Sequence, residues 1–161
     1  MSRLFRKPVK KRSAGDGFTL VEMIAAMTIM LLLTTIALPM ASVVIRREKE
    51  QELREDLRTM RNAIDRYKDF ADRGMIPTEM DTYGYPPTLE VLVKGVALKG
   101  SKDKYKFLRT IPVDPMTGNT DWGMRSMQDD PDSQSWGGQD VFDVHSKSTG
   151  VGMNGIPYVD W

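Results

Sequence analysis

A single carboxylate, that of Glu22, lies near the start of a long stretch that is otherwise uncharged. Glu22 is the one charged residue between Phe18 and Ile45. Placing a carboxylate in the interior of a membrane costs about 2.5–3.5 kcal/mol on insertion scales, so a partner cation is expected. The alternative is that this side chain extends back to the membrane interface and stays solvated.

The uncharged stretch is long enough for a transmembrane helix. The residues from Met23 to Ile45 carry no charge, and a membrane span needs about 20 apolar residues, whereas the apolar part of a secretory signal has about 7–15. Residues 1–17 hold six cations and one acid, Asp16. Because cationic segments stay on the cytoplasmic side, the sequence predicts a single-pass protein with a cytoplasmic N-terminus.

These residues carry a family resemblance. A basic leader ending in Gly17, then Phe18-Thr19-Leu20, Glu22 and a long apolar helix, resembles the prepilin signal of type IV pilins and type II secretion pseudopilins. The resemblance implies that a prepilin peptidase cuts between Gly17 and Phe18 and N-methylates Phe18. Glycine suits this position because it leaves the backbone open to a protease.

The implied cleavage creates the cation that Glu22 lacks. Phe18 and Glu22 are one helical turn apart in one chain, so the amine of Phe18 would approach Glu22 more easily from a neighbouring subunit. Glu22 would then set the axial stagger between copies in a homopolymer.

Pro39 lies inside the predicted apolar helix, where it removes an amide donor and leaves the carbonyl of Thr35 without its helical partner. The hydroxyls of Thr34 and Thr35 are nearby, and such kinks are tolerated in membranes. The sequence predicts a helix kink at Pro39. In the family a proline here marks a segment that bends or melts during fibre assembly, and a simple packing kink is the alternative.

After Ile45 the chain becomes highly charged, and its apolar residues become periodic. Their spacing of three and four residues predicts one buried helical face over residues 46–73, and pairs such as Glu50 with Arg54 and Asp69 with Arg73 support the exposed side. The stripe consists of Leu53, Leu57, Met60, Ile64, Tyr67 and Ala71. A dimeric coiled coil would show the same stripe, but its shortness favours packing against the chain's own sheet.

Two downstream segments also resemble major pseudopilins of type II secretion. Residues 85–93, Tyr-Pro-Pro-Thr followed by a predicted short helix from Thr88 to Val93, resemble their Tyr-Pro-Thr stretch. Pro112-Val-Asp114-Pro115 followed by Gly118-Asn119 resembles their Pro-x-Asp-Pro-x-Gly-Asn motif, with one extra residue before the glycine. This favours type II secretion over adhesive pili, which often carry a disulfide that this cysteine-free chain cannot form.

The predicted fold is α+β and type IV pilin-like. A long N-terminal helix, half transmembrane and half amphipathic, packs on a small antiparallel sheet with strand candidates at 120–125 and 140–145. The predicted organisation is a cleaved leader at 1–17, an assembly helix at 18–45 and a periplasmic domain at 46–161. The resemblance implies a pseudopilus subunit in a bacterial inner membrane, with minor pseudopilins and the inner-membrane secretion machinery as further partners.

Calcium binding is disfavoured, and no cofactor is expected. Many major pseudopilins bind calcium in an aspartate-rich C-terminal loop, but residues 146–158 contain no acid, and this hard cation needs six to eight oxygen ligands. Asp129, Asp130 and Asp132 lie before the last predicted strand, and Asp143 and Asp160 stand singly.

Composition narrows the other possibilities. With no cysteine and one histidine, His145, the chain lacks the ingredients of a zinc site or a Cys-His catalytic pair. His145 is predicted to be structural. The glycines of residues 150–155 spell a dinucleotide fingerprint, but no βαβ unit fits in the six residues that follow. The whole chain has a formal net charge of +1, and residues 1–17 contribute a charge of +5. The mature chain therefore has a net charge of −4, which disfavours nucleic-acid binding.

Other functions remain open. Within the same class, the chain would be a type IV pilin or a minor pilin. A membrane-anchored hydrolase would use an acidic pair such as Asp129 and Asp143, although no supporting pattern accompanies these acids. A sugar-binding module would use Trp122 and Trp136, although tryptophans more often fill a core. The sequence favours a structural polymer and not an enzyme.

Overall fold

The computed structural model describes residues 17–78, 80–100 and 103–161, without the side chains of residues 36–41. The basic leader, apart from Gly17, lies outside the described residues. The fold is α+β, as predicted. Its elements are a long helix α1 (Leu20–Asp72), a short helix α2 (Leu89–Lys94), four strands, β1 (Val96–Ala97), β2 (Lys104–Tyr105), β3 (Gly123–Arg125) and β4 (Asp143–His145), and 3₁₀ turns at Met80–Thr82 and Tyr158–Asp160.

The chain divides into two units at the boundary between Ser42 and Val43. In the first unit the large apolar side chains of α1 that the structure describes, those up to residue 35, are exposed, as with Leu20 and Leu33 at 78% and 63%. The hydroxyls of Thr34 and Thr35 donate to the carbonyls of Met30 and Leu31, at 2.8 and 2.9 Å. Helix α1 includes position 39, whose side chain lies outside the described residues. The predicted kink at Pro39 therefore stays a prediction.

The sequence predicts that residues 18–45 form a transmembrane helix. Within the part of the chain that the structure describes, no helix has a stretch long and apolar enough to cross a membrane.

The second unit, residues 43–161, is folded around the predicted face of α1. All six residues of the apolar stripe are buried. They pack in one cluster with side chains from the rest of the unit, including Leu92, Trp122, Val141 and Val144. Burying aliphatic and aromatic side chains at about 25 cal/mol per Å² is the main favourable term in such a core. The amphipathic half of α1 therefore packs against its own domain, as the sequence predicts.

The exposed face of α1 confirms one predicted ion pair and corrects another. Arg73 contacts Asp69 at 2.9 Å. Glu50, however, is buried and lies 3.5 Å from Arg46 instead of pairing with Arg54. Glu50 accepts hydrogen bonds from the Tyr158 hydroxyl and from the amide of Met153, at 3.0 and 2.8 Å. The difference arises because residues 150–161 cover this face of the helix and supply donors that sequence spacing does not reveal.

The predicted single sheet is instead two separate two-stranded antiparallel sheets among the described residues. Strand β1 pairs with β2, and β3 pairs with β4. The strand candidates at 120–125 and 140–145 are correct in place, but each strand begins three residues later than predicted. Asn119 accepts the amide of Asp121 in a turn, and Asp140 accepts the amide of Met127. The turn at Asn119 precedes β3, and before β4 the amide of Val141 donates to the carbonyl of Pro86 and not to β3.

The segment 112–119 forms the turn that positions these strands. Asp114 is fully buried; its carboxylate accepts hydrogen bonds from the amide of Met116 at 2.8 Å and from the hydroxyl of Ser146 at 2.6 Å. The indole of Trp122 donates to the carbonyl of Pro112 at 2.9 Å. The motif therefore contacts the residue before β3, Trp122, and the residue after β4, Ser146.

Candidate functional site

The start of α1 is closed by a reciprocal contact between Thr19 and Glu22. The Glu22 carboxylate accepts hydrogen bonds from the amide and the hydroxyl of Thr19, both at 2.9 Å. The amide of Glu22 donates to the Thr19 hydroxyl oxygen at 3.2 Å. This arrangement is a capping box, in which the residue before the helix and the third helical residue satisfy each other's free amides. The spacing Thr-x-x-Glu indicates this box in the sequence, and our sequence analysis missed it.

The two carboxylate oxygens of Glu22 are not equivalent. Both contacts with Thr19 involve Oε2. Oε1 makes no hydrogen bond or ion pair with any residue in the described ranges, and the side chain is exposed. A carboxylate can accept about four hydrogen bonds. Glu22 can therefore cap its own helix through one oxygen and accept a donor from another molecule through the other.

The predicted cleavage position is open. Phe18 is 83% exposed. A Cβ added at Gly17 would meet no atom within 4 Å, and the backbone there does not adopt a positive φ. Neither crowding nor backbone conformation among the described residues requires glycine at position 17. A requirement for glycine there must therefore come from a molecule that contacts this segment.

The structure places the candidate hydrolase acids in separate networks. Asp129 accepts the amides of Ser126 and Gly137 at 2.7 and 3.0 Å, and these bonds lower the pKa of its carboxyl. Asp143 pairs with the Arg61 guanidinium at 2.6 Å. Each carboxylate therefore already has a partner that holds the fold.

The tryptophans of the sugar-binding alternative are likewise engaged. Trp122 is 2% exposed and belongs to the core. Trp136 is half-buried, and its indole donates to the carbonyl of Asp140 at 2.7 Å. The two rings therefore do not form an open aromatic surface.

Among the described residues, Asp140 has a buried carboxylate oxygen without a hydrogen-bond partner. Its Oδ1 accepts the amide of Met127 at 3.0 Å, whereas Oδ2 is buried and makes no hydrogen bond with a described residue. Burial raises the pKa of this carboxyl. No group of three or more acidic, histidine or cysteine side chains that could hold a metal occurs among the described residues.

His145 lies in strand β4, as predicted, and is buried at 2% exposure. Its ring covers Gly123 on strand β3, where an added Cβ would collide with the imidazole. Nδ1 has no hydrogen-bond partner among the described residues. Burial, aided by the nearby Arg125, lowers the pKa of His145. The neutral imidazole is therefore a structural part of the β3–β4 sheet.

Comparison with protein families gives one match. Residues 12–38 match the family model described as the prokaryotic N-terminal methylation motif. Comparisons with curated proteins and with solved structures found no match. The matched segment contains Gly17, Phe18, the capping box and the apolar part of α1 up to residue 38. Together with an α+β fold built on a long N-terminal helix, this motif supports a type IV pilin-like protein.

Proposed function

We propose that the chain is a structural subunit of the periplasmic pseudopilus of a type II protein secretion system. The observation that carries the proposal is the segment from Gly17 to Glu22, which lies within the matched methylation motif and opens α1. A prepilin peptidase would cut after Gly17 and methylate the amine of Phe18. The exposure of Phe18 and the absence of any local need for glycine support this processing.

Assembly would join the new amine of one copy to Glu22 of the next. Within one chain Oε2 of Glu22 is held by Thr19, and Oε1 is left for an outside donor. The capping box also fixes the direction in which the carboxylate projects. Such a contact sets the axial stagger because each copy carries one amine and one acceptor a helical turn apart.

The first unit would be anchored in the inner membrane before assembly and packed among other copies afterwards. Its apolar side chains are exposed on the isolated chain, and monomeric soluble proteins rarely expose so continuous an apolar surface. The cationic leader would hold the N-terminus in the cytoplasm and leave the second unit in the periplasm.

The second unit would serve packing and partner contacts and not catalysis. Its candidate acids are occupied by amides or by Arg61, and Trp122 lies in the core. The resemblance of residues 112–119 to the motif of major pseudopilins is what supports a pseudopilus subunit over the alternatives of a type IV pilin or a minor pilin.

Deletion of the gene in its host tests this proposal. The pseudopilus proposal predicts that exported proteins accumulate in the periplasm while surface filaments are unchanged. Complementation with the wild-type chain should restore secretion, and complementation with Glu22→Ala should not. Loss of surface filaments with normal secretion would instead assign the chain to a type IV pilus.

A further inference from the structure

A cleft of about 510 Å³ lies in the second unit, between α1 and the C-terminal segment. Arg54, Arg58 and Arg61 line it from the helix, and Ile156 and Trp161 line it from the opposite segment. Ligand sites typically have volumes of about 300–1,000 Å³. The cleft therefore combines a cationic wall with an apolar side.

The arginines of this cleft differ in what they contact. Arg61 is engaged by Asp143 at 2.6 Å and by the main-chain oxygens of Val144 and Trp161, at 3.0 and 2.6 Å. The guanidinium of Arg54 lies 4.3 Å from the centre of the Trp161 ring. Arg54 and Arg58 form no ion pair with any residue that the structure describes.

Two of the three arginines of the cleft keep no ionic partner. Arg61 is engaged by Asp143, whereas Arg54 and Arg58 are unpaired among the described residues, and Asp160 is the acidic side chain that the described lining contains. Arg54 and Arg58 are four residues apart on α1, a spacing at which like charges repel. A carboxylate placed between them would remove this repulsion and accept charge-assisted hydrogen bonds from both.

A complementary surface occurs elsewhere on the same chain. Residues 126–140 contain four aspartates and no lysine, arginine or histidine. Asp129 and Asp140 serve the loop itself, whereas Asp130 and Asp132 are exposed and form no ion pair with described residues. Met127, at the start of the loop, is 51% exposed. The loop therefore offers two free carboxylates and an exposed apolar side chain.

We propose that the cleft of one copy binds residues 127–132, the first part of this loop, of a neighbouring copy in the assembled fibre. Asp130 and Asp132 would lie against Arg54 and Arg58, and Met127 would pack toward Ile156 and Trp161. The proposal rests on the self-assembly proposed above. A second copy is the favoured occupant because an interface between two different surfaces of the same chain produces an open helical filament.

Site-specific cross-linking of the full-length protein in its host tests the proposal. The chain has no cysteine, so one chain carrying Arg58→Cys and a second carrying Asp130→Cys supply the only thiols of the subunit. A short bifunctional maleimide should link the two chains into dimers when they are expressed together. Asp130→Cys expressed with Lys104→Cys, an exposed position on β2 outside the cleft, is the matched control and should give no dimer.

Charge reversal provides the second arm. Arg58→Asp or Asp130→Arg alone should lower the polymer yield about tenfold, because like charges at an interface disfavour association. The two reversals combined in one chain should restore most of the yield. Both positions are exposed, and circular dichroism of each variant checks that the fold is retained.

The outcomes separate this inference from the proposed function. Absent cross-links, or a combined variant that stays defective, while wild-type chains still form polymer that depends on Glu22, would overturn the docking alone. If the cleft instead bound free acidic peptides or other proteins, with the same loss of polymer in the charge-reversal variants, the docking would also be overturned. A wild-type chain that forms no polymer would refute the proposed function, and the inference with it.

Discussion

Three substitutions at the start of α1 separate the charge of Glu22 from its capping role. Glu22→Gln keeps an oxygen that can accept the hydrogen bonds of Thr19 but removes the charge. Thr19→Ala keeps the charge but removes the hydroxyl that bonds the carboxylate at 2.9 Å and accepts the Glu22 amide at 3.2 Å. Glu22→Ala removes both functions.

The expected sizes follow from these contacts. Loss of an N-cap hydroxyl costs about 1 kcal/mol, which changes a two-state equilibrium about fivefold. Loss of one partner of a desolvated charge pair between subunits is more severe, so the polymer yield should fall at least about tenfold. We therefore expect Thr19→Ala to assemble about fivefold less than wild type, and Glu22→Gln to be as defective as Glu22→Ala.

The assay is the fraction of processed protein that sediments as sheared polymer, normalised to the processed protein in the membrane. Normalisation removes any effect of the substitutions on cleavage. The reasoning would be refuted if Glu22→Gln assembled like wild type while Thr19→Ala and Glu22→Ala failed equally. Glu22 would then act only as a helix cap.

Three further predictions concern single residues. Gly17→Ala should leave the melting temperature of the second unit unchanged, since an added Cβ would meet no atom within 4 Å. It should block processing, because the requirement for glycine comes from the peptidase, and normal processing on an immunoblot would contradict this. Burial raises the pKa of Asp140, so the stability of the fold decreases as pH rises from about 4 through that raised pKa. Asp140→Asn should therefore raise the thermal midpoint at pH 7 but not at pH 3. A lower midpoint in this variant, reproduced by calcium chelation of the wild type, would indicate a cation site. Burial lowers the pKa of His145, so stability should fall as pH drops below about 6.5. This cause would be wrong if, between pH 7.5 and 5.5, the urea midpoint of His145→Gln fell as much as that of the wild type.

The long helix could be predicted because its pattern is local. The six apolar residues of the stripe repeat at helical spacing, and all six are buried. The capping box was equally local and was missed because Glu22 was analysed only as a charge. The Thr19-x-x-Glu22 spacing before an apolar run is itself a signature of a helix start.

The strands could be predicted only in approximate position. Strands β1 and β2 are two residues long and exposed or half-buried, so they show no alternation of apolar and polar residues. Before β3, Asn119 accepts the amide of Asp121 in a local turn, and before β4 the amide of Val141 donates to the carbonyl of Pro86. The contact of Val141 follows from the tertiary arrangement and leaves no periodic pattern.

The contacts that hold α1 against the rest of the folded unit could not be predicted from spacing. Arg61 and Asp143 are 82 residues apart, and Glu50 and Tyr158 are 108 residues apart. The sequence offered a nearer partner for Glu50 in Arg54. The buried hydroxyl of Tyr158 is the better partner because it satisfies the carboxylate without exposing it to water.

The mass and N-terminal sequence of the protein, extracted from membranes of cells that contain a prepilin peptidase, test the proposed processing directly. We expect a chain that begins at Phe18 and carries one methyl group on its amine. In cells without the peptidase the chain should retain residues 1–17. An intact leader in both strains, or cleavage at another bond, would contradict the account.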